Sequence, residues 1–100
     1  MAWKNFSKVL AGITAEPISN TSQKAKQILI NPKRANKGTL YLGGATVSSD
    51  NGLEIIPPAV ATTPMIPLHL TGDYGNGMDL SSLYIIGGAT DGIQGAYEEF

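Results

Sequence analysis

Between Gly38 and Pro58 the chain reads GTLYLGGATVSSDNGLEIIPP, a spelling that permits only short extended segments. Thr39 to Leu42 are strong strand formers, with Leu40 and Leu42 on one face and Thr39 and Tyr41 on the other. Gly43-Gly44 ends that run. Ser48 to Gly52 is a turn cluster in which Asn51-Gly52 supplies the positive φ of a tight turn. Leu53 to Ile56 resumes an extended run, and Pro57-Pro58 stops it. The pattern predicts strand, turn, short strand, stop. None of its residues carries obvious catalytic chemistry.

The same punctuation governs the rest of the chain. Trp3, Phe6, Leu10 and Ile13 are spaced three, four and three apart, which fits a helical face. Gly12 and Thr14 weaken a helix there, and the alternative is an extended arm leading into a first strand near Val9 to Ile13. The aromatics Trp3 and Phe6 either anchor on a neighbouring molecule or cover the edge of their own core. Glu16 to Ser22 is a polar turn around Pro17. Ala25 to Asn31 reads as a strand with Ile28 and Ile30 on one face, ended by Pro32. PKRANKG, residues 32–38, is a basic hairpin loop.

Four prolines from Pro57 to Pro67 exclude a central strand and predict an extended surface loop. Leu68 to Thr71 is a short strand, followed by the glycine-rich GDYGNGMD. Leu80 to Ile86 is the next strand, with Leu83 and Ile85 opposite Tyr84 and Ile86. Thr90-Asp91-Gly92 is a hairpin signal before a closing strand from Ile93 to Phe100. LYLGGAT at 40–46 is echoed by LYIIGGAT at 83–90, which predicts two equivalent corners but is too little for a repeat architecture.

Short alternating runs separated by turn signals predict an all-β chain: an antiparallel β-sandwich, jelly-roll-like, of about six to eight short strands. Residues 1–15 form an arm or first strand, and 16–100 a single sandwich domain. One hundred residues suffice for one modest core. Charged residues are only 15% of the chain, against about 25% in an ordinary domain. No apolar run is long enough to span a membrane, and the N-terminal residues lack a signal peptide's apolar stretch. The absence of cysteine excludes disulfides and thiolate metal sites. All seven basic residues lie at or before Lys37, and seven of the eight acids lie after it. Folding either interleaves these into a mixed surface or leaves a basic and an acidic side able to dock.

Candidate chemistry is sparse. His69, the single histidine, has no second histidine or cysteine to share a metal with. Asp73, Asn76 and Asp79 lie in one loop, but their spacing misses the EF-hand pattern. Gly72, Gly75 and Gly77 are in the wrong order for a dinucleotide fingerprint. Glu98 and Glu99 sit at a terminus, a poor place for an acid–base pair. The basic loop lacks interleaved aromatics, so nucleic acid is not an expected partner. The reading is therefore a protein that is not an enzyme and takes no cofactor or metal.

Three pieces carry a resemblance: Asn36-Lys37-Gly38-Thr39-Leu40-Tyr41-Leu42-Gly43, the serine-rich turn ending Asn51-Gly52, and Leu83-Tyr84-Ile85-Ile86-Gly87. Together they resemble a recurrent family of small bacteriophage structural proteins, over about half of the chain. After Pro58 the chain departs from that pattern by its proline-rich insertion. The resemblance implies a β-sandwich virion component, made in the host cytoplasm and located in the virion. Its implied role is a capsid decoration or cement subunit that binds the major capsid protein or other virion subunits, as a homo-oligomer, a trimer first. A tail or host-contacting component is the alternative. From another class, a small carbohydrate-binding sandwich is supported only by Trp3 and the four tyrosines. Partner contacts are expected at Trp3 and Phe6, and at Val60, Met65 and Ile66 in the uncharged proline-rich loop.

Overall fold

The computed structural model describes residues 2–57, 67–71 and 77–99. Val60, Met65, Ile66, Asp73 and Asn76 lie outside those residues, as does most of the proline-rich stretch. The described chain is nearly all β, with strands β1 Trp3–Val9, β2 Glu16–Pro17, β3 Lys24–Pro32, β4 Leu40–Gly43, β5 Leu53–Ile55, β6 Leu68–Thr71, β7 Met78–Asp79, β8 Tyr84–Ile86 and β9 Gly92–Glu99. Nine strands replace the six to eight expected, because β2 and β7 are two-residue pairings that turn-like sequence conceals.

The strands form two antiparallel sheets. Sheet A has the order β1-β9-β3-β6, with β7 beside β6 on the same edge of β3. Sheet B has the order β2-β8-β4-β5. The inner faces meet over one core of Leu10, Ile18, Ala25, Ile28, Ile30, Leu40, Leu42, Ile55, Leu80, Ile85, Ile93 and Tyr97. Alternation explains the selection. Ile28 and Ile30, or Leu40 and Leu42, are two apart and so share a face.

Several expectations are corrected by the same alternation. Residues 3–9 form a strand rather than a helical face, and the strand lies before Val9–Ile13 rather than along it. In an extended chain an odd spacing separates residues. Phe6 and Leu10 turn inward, whereas Trp3 is half-exposed and Ile13, in the turn beyond, is exposed. Residues 80–86 are not one strand: Leu80–Ser82 is a 3₁₀ turn capped by Asp79, and only Tyr84–Ile86 is extended. Leu80 takes the buried place, and Leu83 packs half-buried beside the core. The loop 33–39 and the turn at 87–91 are not hairpins. Each carries the chain from one sheet to the other, since β3 and β9 belong to sheet A and β4 and β8 to sheet B.

The internal echo has a structural counterpart. In both copies the Gly-Ala-Thr segment is a turn closed by a backbone bond, Val47 N–H to Gly44 O at 3.0 Å and Asp91 N–H to Gly88 O at 3.2 Å. The residue that closes each turn is buried. Val47 packs over β4, where a Cβ on Gly52 would come within 2.7 Å of its Cγ2. Asp91 goes to the other end of the sandwich. Strands β4 and β8 pair directly, Leu42 opposite Ile85.

Core packing sets the first expected outcome. Leu42→Ala should cost about 2–5 kcal/mol in urea denaturation, while Leu53→Ala, half-exposed at the sheet edge, should cost under about 1 kcal/mol. Gly95→Ala should also destabilise strongly, because its Cβ would clash with the carbonyl oxygen of Leu29 on the neighbouring strand. Equal stability of the Leu42 and Leu53 variants would contradict this core.

Candidate functional site

Three carboxylates, Asp91 on a turn and Glu16 and Asp79 in the two-residue strands β2 and β7, are each turned toward their own chain. Asp91 is 4% exposed. Its Oδ1 accepts from the Lys37 N–H at 2.9 Å and its Oδ2 from the Gly38 N–H at 3.2 Å. Asn36 pairs its carboxamide with the backbone of Gly92, donating to the carbonyl and accepting from the N–H, both at 2.8 Å. The Leu10 N–H donates to the Asp91 carbonyl, and the Thr90 N–H donates to the Leu10 carbonyl. Thr90 sits in the left-handed region at φ 72°, a costly place for a β-branched residue, and these bonds hold it there. Two backbone N–H groups of the basic loop, those of Lys37 and Gly38, which could have helped to cradle a phosphate, are thus already occupied by Asp91.

Asp79 gathers the opposite end. Its carboxylate accepts from the Ser22 hydroxyl, from the Ser81 N–H and hydroxyl at 2.9 and 2.8 Å, and from the Gln23 N–H at 3.1 Å. These donors, Ser22 first, hold its carboxyl far below the ordinary value of 3.8. Both oxygens are committed to the chain, which leaves Asp79 a structural clamp rather than a ligand for calcium. Glu16 accepts from Lys8 Nζ at 3.0 Å and from the Ala11 and Gly12 N–H groups at 2.9 and 3.2 Å. These contacts, led by Lys8, lower its pKa from the ordinary 4.5. The Lys8–Glu16 pair ties β1 of sheet A to β2 of sheet B. Among the described residues no three of His, Cys, Asp or Glu cluster as metal ligands.

The uneven charge of the sequence is largely interleaved by the fold. Basic β1 and β3 flank acidic β9. Lys4 Nζ lies 3.5 Å from Glu99, and Lys24 is in register with Asp79. Lys33, Arg34 and Lys37 remain together in the loop around Asp91.

The expected contact residues separate. Trp3 is 48% exposed on the outer face of β1. Phe6 turns inward, its ring 6.3 Å from that of Tyr97, and covers its own core. Among the described residues the aromatics do not form one cradle. Tyr97 is buried in the core. Tyr41 and Tyr84 alternate outward on sheet B, away from Trp3 on sheet A. His69 is exposed on the outer face of sheet A, with Nε2 2.8 Å from Gln27 Oε1. Among the described residues the exposed large apolar side chains are Trp3, Val9, Ile13, Leu53 and Ile56. Ile56 borders a hollow of about 280 Å³ between the sheet edges, lined also by Ile30, Glu54, Ile55, Pro67 and Leu68; Leu53 does not line it.

Comparison with protein-family models, with curated proteins and with solved structures gave no match.

Two outcomes are expected from this electrostatic layout. Asp91→Ala should destabilise the fold by about 1–3 kcal/mol, because it strands the Lys37 and Gly38 N–H groups. Asp79 and Glu16 bind their protons less tightly in the folded than in the unfolded chain. Their contribution is therefore fully present above their ordinary values of 3.8 and 4.5 and is lost as pH falls through the lower folded values. Urea midpoints should hold from neutrality to about pH 5 and fall below it, less steeply in Asp79→Asn. A midpoint constant down to about pH 3 would contradict the assignment.

Proposed function

We infer that the chain is a structural subunit of a bacteriophage virion, a capsid decoration or cement protein that binds the major capsid protein and works as a homo-oligomer without enzymatic activity. The resemblance of residues 36–43, 51–52 and 83–87 to small phage structural proteins carries this reading. In space those pieces are neighbours. The first is the loop entering β4 with β4 itself, the second is the β4–β5 turn, and the third is β8, which pairs with β4. They form one sheet, as expected of motifs that specify a shared scaffold and not a catalytic site.

The surface chemistry supports attachment through apolar contact. Among the described residues Glu16, Asp79, Asp91, Glu98 and Glu99 bind groups of their own chain. Ile56, more than half exposed, borders the hollow lined by Ile30, Ile55, Pro67 and Leu68, and Leu53, on edge strand β5, is more than half exposed too. Interfaces draw their energy from such apolar anchors, with a polar rim around them. On this reading Val60, Met65 and Ile66 add to the same contact, on the strength of their uncharged, proline-rich sequence.

The test is co-sedimentation with purified empty capsids of the phage that encodes the chain. The expected result is saturable binding that changes little with salt, since charge is interleaved and not polarised. Leu53→Ser with Ile56→Ser should weaken binding about tenfold or more while the fold persists. No sedimentation with capsids would overturn the reading, and sedimentation with tails alone would transfer it to the tail. A monomer at all concentrations in ultracentrifugation would remove the oligomer.

A further inference from the structure

Sheet A ends on β1, and among the described residues β1 is the longest edge strand. It has seven residues, five of them exposed, against two in β2, three in β5 and four in β6. It pairs with β9 without a shift of register. It therefore holds neither a bulge nor a proline, the devices that close an edge to further pairing.

The bonds at its two ends fix where its backbone points. The Glu99 N–H donates to the Ala2 carbonyl at 3.0 Å, and the Leu10 N–H to the Asp91 carbonyl at 2.9 Å. Both pairs continue the register that sets Trp3 opposite Glu98 and Val9 opposite Gly92. In an antiparallel ladder, opposed residues alternate between exchanging bonds and facing away. The even residues of β1 therefore bond β9, and the N–H and C=O groups of Trp3, Asn5, Ser7 and Val9 point out of the sheet. Among the described residues no other strand takes them. Lysines commonly guard such an edge, but here both are engaged by their own chain. Lys4 Nζ lies 3.5 Å from Glu99, and Lys8 Nζ 3.0 Å from Glu16.

We propose that β1 is an interface between two copies of this chain, paired antiparallel about a two-fold axis at Phe6, so that the two A sheets run on as one. Only an extended strand meets a row of outward N–H and C=O groups along its whole length. The sequence WKNFSKV matches its own reverse. With Phe6 opposite Phe6, half-exposed Trp3 faces half-exposed Val9 of the second copy, and Asn5 faces Ser7. All four outward residues then exchange main-chain bonds, about eight in total, close to the ten or so of a stable interface. Sliding by two residues loses about two of those bonds and sets Trp3 against Ser7, or Asn5 against Val9. Lys4 comes opposite Lys8, but each lysine arrives with a carboxylate of its own chain, so the join carries no net charge. In sheet B, the edge strand β2 is too short, and too blunted by Pro17, to be extended as well. The inference rests on the proposed function only for the chain's self-association, and it needs no capsid.

The test is sedimentation equilibrium of the purified chain and of β1 variants. The expected result is a dimer that dissociates at roughly 1–100 μM, since a single strand pair is smaller than a standard interface. Ser7→Pro removes an outward N–H that the chain's own ladder does not use. It should weaken the dimer about tenfold or more while the fold persists. Should that variant not fold, Trp3→Glu with Val9→Glu puts like charges opposite each other at both ends and should weaken it as much, whereas Trp3→Glu with Val9→Lys should restore it. A dimer indifferent to all three variants would overturn this interface and place self-association elsewhere on the chain. A monomer up to about 1 mM would overturn the proposal outright. Capsid co-sedimentation, read separately, then decides the attachment on its own, and its loss in Ser7→Pro would give the edge to a strand of another protein.

Discussion

The buried Asp91 carboxylate is the interaction on which the architecture hangs. At one corner the chain passes twice between the sheets, along 33–39 into β4 and along 87–91 into β9. A crossing loop exposes backbone donors that no ladder satisfies. Asp91 satisfies two of them, at Lys37 and Gly38, and its own backbone takes up the end of β1 at Leu10. Asn36 closes the remaining gap by pairing with Gly92 as another strand would. With that corner fixed, β9 enters sheet A between β1 and β3, and the register of the whole sheet follows.

Asp79 and Glu16 repeat the device where a connection cannot rely on a tight turn. Asp79 caps the 3₁₀ turn and holds the 22–23 segment across from it. Glu16 binds the turn that leaves β1 and receives Lys8 from sheet A. A small sandwich whose described elements include one hairpin, β4–β5, with a connection that runs from 44 to 52, gains little from local pairing. Charged side chains folded back onto loop backbone supply what β-turn chemistry supplies elsewhere.

The fold class, the alternating core of Ile28, Ile30, Leu40, Leu42 and Ile85, and the β4–β5 hairpin were determined by the sequence alone. Period-two apolar spacing is a local signal that β burial obeys. Asn51-Gly52 marks the turn but lacks the positive φ expected of it, since among the described residues only Gly77 and Thr90 have positive φ; Gly52 is needed there for space, against Tyr41 and Val47. The tertiary structure decided the rest. Trp3 and Phe6 are three apart, which fits a helix as well as a strand, and only pairing with β9 sent one outward and the other into the core. Asp91-Gly92 spells a hairpin, yet its strands lie in different sheets, because β8 finds β4 and β9 finds β3 across more than forty residues. The bonds of Asn36 to Gly92 and of Asp79 to Gln23 were invisible for the same reason: their partners are remote in sequence, and a register that long-range pairing sets is not written in either segment alone.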